Sequence, residues 1–142
     1  MLATGRRAAG FTLIEALVVV AITGLISALA FPRLEAAIAA QEFRTSTATL
    51  VRALQGARAQ AIRSGDAASV AIAEGGHSVA VADAAPVMLP ADYVVSSDQA
   101  SVIRFFPDGT STGGRLVLVS QDHRVALSVQ PSTGRVTVGA AL

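Results

Sequence analysis

The chain has 142 residues, 52% of them hydrophobic, and a formal net charge of +1 from 11 basic and 10 acidic side chains. That length allows one small domain besides a membrane-length apolar segment, and the near-neutral charge excludes a general field for polyanionic partners. Cysteine is absent, which excludes a disulfide framework, a thiolate metal site and a cysteine nucleophile, and Asn is absent too, so no N-linked glycosylation acceptor exists.

The first ten residues, MLATGRRAAG, are small or polar and carry Arg6 and Arg7. Phe11 to Phe31 then forms a 21-residue apolar run, FTLIEALVVVAITGLISALAF, whose one charge is Glu15. As a helix this run reaches about 30 Å, the thickness of a bilayer hydrocarbon core. Arginines on its N-terminal side predict a cytoplasmic N-terminus and an outward C-terminal part, by the positive-inside bias. Three readings compete. Ala28-Leu29-Ala30 would serve as the cleavage site of an ordinary secretory signal, but the run exceeds a usual signal core and contains a carboxylate. A plain signal anchor also leaves Glu15 unexplained, because an acidic side chain at mid-membrane costs about 2.5 to 3.5 kcal/mol on insertion scales.

The third reading accounts for the carboxylate. Gly10-Phe11-Thr12-Leu13-Ile14-Glu15, followed at once by an apolar helix, resembles the class III leader of type IV pilins and type II secretion pseudopilins. The resemblance implies cleavage between Gly10 and Phe11 by a prepilin peptidase, N-methylation of Phe11, and pairing of Glu15 with the α-amine of a neighbouring subunit's first residue. Local satisfaction of Glu15 by its own helix N-terminus is the alternative.

From Arg33 to Ser64, Leu34, Ile38, Thr47, Leu50, Val51, Leu54, Ala57, Ala61 and Ile62 recur mainly at three- and four-residue steps, which predicts an amphipathic helix continuing the apolar one. Pro32 lacks an amide and Gly24 is soft, so both are expected kink positions. Ser64-Gly65-Asp66 predicts the stop. The arginines and glutamates along this stretch read as a solvated face.

Beyond Gly65 short β-rich runs alternate with turn residues. Ala68 to Ala73 and His77 to Ala82 predict a hairpin around Glu74-Gly75-Gly76, and residues 83–100 predict a connecting loop apart from Tyr93-Val94-Val95. SVIRFF, RLVLVS, RVALSV and RVTV, separated by turns at Pro107-Asp108-Gly109, Gln121-Asp122-His123 and Pro131-Ser132-Thr133-Gly134, predict four strands in meander order. The expected class is α+β, a long N-terminal helix packed on one antiparallel sheet, with boundaries at 1–10 (leader), 11–32 (membrane and filament-core helix), 33–65 (amphipathic helix) and 66–142 (β-rich domain). This tail, FFPDGTSTGG followed by RLVLVS, RVALSV and TGRVTV, is similar to the globular domain of H-type minor pseudopilins and the related FimT/FimU minor pilins.

Catalytic chemistry finds little support. Asp122-His123 with Ser120 and Ser128 lacks a nucleophile elbow, and adjacent strand residues face opposite ways, so the pair reads as a turn. His77 and His123 have no metal-ligand spacing, and no phosphate loop or calcium loop occurs, so no metal or cofactor is expected. Arg104, Arg115, Arg124 and Arg135 lie on or beside consecutive predicted strands and form the one possible basic stripe, with pairing to Asp108 and Asp122 as its bland alternative. The resemblance implies a non-enzymatic minor pseudopilin in the inner membrane. Its domain would be periplasmic, its partners the peptidase, other minor and major pseudopilins and secreted cargo, and its place the pseudopilus tip. The rival is a type IV pilus minor pilin that binds DNA in uptake, with nucleic acid the less favoured partner.

Overall fold

The computed structural model describes residues 11–82, 84–98 and 101–140. The leader residues, including Gly10, lie outside them. One helix, α1 (Leu13–Ser64), is followed by eight strands: β1 (Ala68–Ile72), β2 (Ser78–Val81), β3 (Val87–Met88), β4 (Val94–Ser97), β5 (Val102–Phe105), β6 (Gly114–Val119), β7 (Arg124–Val129) and β8 (Val136–Ala140). Two compact units result, residues 1–39 and 40–142, and each is described by itself.

In the first unit α1 begins with a capped turn. Thr12 Oγ1 accepts the Glu15 backbone N–H at 3.2 Å, so Thr12 is the N-cap and Glu15 holds the N3 position of a T-x-x-E box. Further along, the hydroxyls of Thr23 and Ser27 donate to the carbonyls of Val19 and Thr23 at 2.7 and 2.8 Å. The hydroxyls of Thr23 and Ser27 are thereby satisfied within the helix, as a hydrocarbon environment demands, whereas the Glu15 carboxylate has no side-chain partner among the described residues. The helix runs unbroken through Pro32.

In the second unit α1 ends where Gly65 takes φ 76° and its N–H returns to the Ala61 carbonyl at 3.1 Å, the single-bond left-handed cap. The predicted hairpin forms, with Val70 opposite Val81 and Ile72 opposite Val79. Two four-stranded antiparallel sheets stand in place of the one expected, ordered β3-β2-β1-β5 and β4-β6-β7-β8. The four-strand meander is therefore corrected to three. β5 pairs with β1, Ile103 opposite Val70, whereas β6, β7 and β8 run in sequence. Chain direction explains the difference. After β5 the segment 106–112 folds back on β5 itself, Phe106 N–H to Thr110 O at 2.9 Å and Thr112 N–H to Arg104 O at 2.9 Å. Gly113 and Gly114, at φ 72° and 151°, then turn the chain into the other sheet. The expected loop over 83–100 also contains two strands, β3 on the edge of the first sheet and β4 on the edge of the second.

Alternation sets the core. Val70, Val79, Ile103 and Phe105 from one sheet and Val95, Leu116, Leu118, Leu127 and Val129 from the other bury against Phe43, Leu50, Leu54, Ala57 and Ala61 of α1. The predicted helix face holds from Leu50 to Ala61. It fails at Leu34 and Ile38, which stay more than half exposed, and the packed face begins at Phe43.

Candidate functional site

The first unit offers a surface and no cleft chemistry. From Phe11 to Ile38 every large apolar side chain is exposed, from 47% at Val18 to 83% at Leu13, whereas Phe43 is 7% exposed. An unpartnered apolar helix of this length is stable only in lipid or among other helices. Glu15 sits one turn inside it, exposed, with its backbone held by Thr12 and its carboxylate in the positive end of the helix dipole. Thr12 is a site residue that the sequence reading missed, although the T-x-x-E spacing announces it.

In the second unit two side-chain clusters stand out, one at each end of the domain. At one end, Phe43 of α1 stacks on His123 with ring centroids 5.2 Å apart and meets Tyr93 edge-on at 5.8 Å. Burial, with help from Glu42 and Asp92, pushes the Tyr93 phenol above its ordinary value. The Nδ1–H of His77 donates to the Tyr93 carbonyl at 3.0 Å, which fixes the proton on that nitrogen in the neutral ring. Beside it the Val95 N–H donates to the Gly76 carbonyl at 2.8 Å, so the β1–β2 turn of one sheet is stitched to β4 of the other. The Ser120 N–H donates to the His123 carbonyl at 2.8 Å, closing the β6–β7 hairpin loop, while Ser128 lies within β7. No nucleophile, base and acid converge there.

At the other end Arg58 is the organising side chain. Its Nε–H donates to the Gly109 carbonyl at 3.1 Å, and the Arg58 stem passes Gly134 so closely that a Cβ there would lie 2.9 Å from Arg58 Cδ and 2.6 Å from the Gly109 oxygen. The turns after β5 and after β7 are thus both clasped to α1. Asp108 spends its carboxylate on Thr110, accepting the backbone N–H at 2.9 Å and the hydroxyl at 2.6 Å, and these bonds hold its carboxyl below the usual aspartate range.

The four arginines of the expected stripe are dispersed. Arg104 stands on β5 opposite Ser69, in the first sheet. Arg115 lies opposite Ser128 and Arg124 opposite Val119, on the same outer face of the second sheet but four residues apart along β7, which is about 14 Å. Arg135 precedes β8 and donates its backbone N–H to Thr133 Oγ1 at 3.3 Å. Arg58, which the stripe omitted, shares a cleft with Arg135.

Comparison with known proteins agrees with this layout. The model of the prokaryotic N-terminal methylation motif matches residues 5–31, and that of type II transport protein GspH matches residues 46–134. The chain is 33% identical over 143 aligned positions to the type II secretion system protein H of Xanthomonas campestris pv. campestris, covering 94% of this chain and 85% of that one. Among solved structures, the minor pseudopilin EpsH from the type 2 secretion system of Vibrio cholerae superposes with a TM-score of 0.58 at 15% identity, over 68% of this chain and 95% of that one. The type IV minor pilin FimU of Pseudomonas aeruginosa gives 0.58 at 20% identity, over 70% and 89%. With its methylation-motif helix and its second unit both matched, the chain belongs to the type II transport protein GspH family.

Proposed function

We infer that the chain is a minor pseudopilin of the type II secretion system, a structural subunit of the periplasmic pseudopilus used in protein export. The observation that carries this reading is the joining, in one chain, of a methylation-motif helix over residues 5–31 to a GspH domain over residues 46–134. Its action is assembly, and the subunit role is structural. Residues 1–10 act as the leader, and a prepilin peptidase cuts after Gly10 and methylates Phe11. The helix 11–32 then holds the precursor in the inner membrane with the 66–142 domain in the periplasm, and later enters the filament core. Glu15, exposed on that helix, needs a cation once it is in an apolar bundle. The new α-amine of a neighbouring subunit's Phe11 supplies it, so register and charge neutralisation come together. Partners on this reading are the other minor and major pseudopilins and, at the tip, secreted cargo.

Mass spectrometry of the mature N-terminus tests the processing step. Methylated Phe11 is expected, and a chain beginning at Phe31 or retaining Met1 overturns it. A deletion strain tests the system. Loss of secreted enzymes from the medium with intact pilus-driven surface motility is expected, and the reverse pattern assigns the chain to a pilus.

A further inference from the structure

We propose that the cleft between α1 and the β7–β8 turn is a carboxylate-recognition site that docks an acidic segment of a neighbouring protein subunit. The cleft has a volume of about 620 Å³, within the range of ligand-sized sites, and Gln55, Arg58, Gln130, Thr133 and Arg135 supply its polar groups. Two arginines therefore line one space that no Asp or Glu among the described residues lines.

Two of the donors are preset. Arg58 is half-buried and anchored through Nε to the Gly109 carbonyl, which leaves its terminal amino groups as the free edge of a planar fork suited to carboxylate oxygens. The Thr133 hydroxyl donates to Gln130 Oε1 at 3.1 Å, so the amide nitrogen of Gln130 is the end left to donate. The acid next along the chain from the anchoring turn, Asp108, is occupied by Thr110 and does not neutralise Arg58. A cationic site whose side chains are already ordered gains affinity because little freedom is lost on binding.

Two further features identify the occupant. Gln55 also borders a second cavity of about 560 Å³ in which Phe43, Val51, Val125 and Val138 are flanked by Arg44 and Arg52, so the cationic end continues along α1 into a groove with an apolar floor and two further arginines. A segment bearing carboxylates beside aliphatic side chains fills both. A polynucleotide fits less well, because Arg58 and Arg135 with Arg44 and Arg52 give at most four phosphate contacts, a salt slope of about 3.6, and Arg104, Arg115 and Arg124 lie elsewhere.

The test is a titration of the full-length chain in detergent micelles, isotope-labelled, with the acetylated and amidated hexapeptide AVLDDG and its uncharged counterpart AVLNNG. AVLDDG is expected to shift the Gly134 amide and Arg58 Nε–H resonances saturably, and AVLNNG to leave them in place. Arg135→Gln, an exposed position, should weaken binding about fivefold or more, and Arg124→Gln should not change it. Equal binding of both peptides, no binding of either, or an Arg135→Gln chain that binds AVLDDG unchanged overturns the proposal. So does tighter binding of a duplex of about 20 base pairs with a salt slope of about 3.6 or more, which reassigns the cleft to nucleic acid. The proposal rests on the subunit reading only for the identity of the neighbour. Peptide binding involves no processing or assembly, so the two fail separately.

Discussion

Two glycines with left-handed backbones separate conformational strain from steric exclusion. Gly65 caps α1 at φ 76°, with open space where a Cβ would stand. Gly134 has φ 59°, but its Cβ would lie 2.6 Å from the Gly109 carbonyl oxygen and 2.9 Å from Arg58 Cδ and Nε. Holding alanine in the left-handed region costs about 1 to 2 kcal/mol, partly offset by about 0.4 to 1 kcal/mol from a less disordered unfolded chain, so Gly65→Ala should cost roughly 1 kcal/mol. Gly134→Ala carries the same strain and must also displace Arg58 from Gly109, losing a hydrogen bond to a charged donor that contributes about 1.5 to 3 kcal/mol. The expected cost is about 2 to 4 kcal/mol. Urea titration in micelles measures both, read by fluorescence of Tyr93, the only tyrosine in a chain without tryptophan and a buried one. Equal losses for the two variants, or a neutral Gly134→Ala, would refute the clasp.

Other expectations follow from the same packing. Leu54→Ala, at 1% exposure against both sheets, should lose about 2 to 5 kcal/mol in the same titration. Leu34→Ala, at 57% exposure, should change domain stability by less than about 0.5 kcal/mol. Tyr93 is raised above 10.0, so as pH climbs past that value the unfolded phenol ionises before the folded one and stability falls until the folded phenol ionises too. Circular dichroism melts from pH 8 upward should show that decline in the native chain and lose it in Tyr93→Phe. Glu15→Ala should leave membrane insertion intact and abolish recovery of the chain in sheared pseudopili, and normal recovery would sink the charge-pairing role.

What the sequence made legible was local. The Gly65 stop and the alternation of β1, β2 and β5 to β8 act within a few residues and stand where their patterns put them, whereas β3 falls in the stretch read as a loop. Strand pairing was not legible, because β5 and β6 show the same alternation whichever partner they choose. Pro107-Asp108-Gly109 resembles a hairpin turn, yet it returns the chain onto β5 alone. Arg58 was hidden for a related reason: its carbonyl partner lies 51 residues downstream, and an arginine among helical arginines has no periodic signature. Phe43, between Glu42 and Arg44, fell among charges and so escaped the apolar count, although its ring begins the core.

The exposed apolar face is longer than a membrane requires. Phe11 to Ile38 spans 28 residues, about 42 Å of helix, against about 30 Å of hydrocarbon. Roughly 12 Å of apolar surface, around Leu34 and Ile38, thus projects past the bilayer and still lies short of the first core residue, Phe43. Neither lipid nor the domain core covers these two side chains, and a partner helix in an assembled filament would. Leu34→Ser with Ile38→Ser should therefore leave insertion and Tyr93 fluorescence unchanged while lowering the share of chain in sheared filaments. Unaltered filament recovery would show that this stretch is solvated in the assembled state and that helix contacts are confined to the hydrocarbon-length segment.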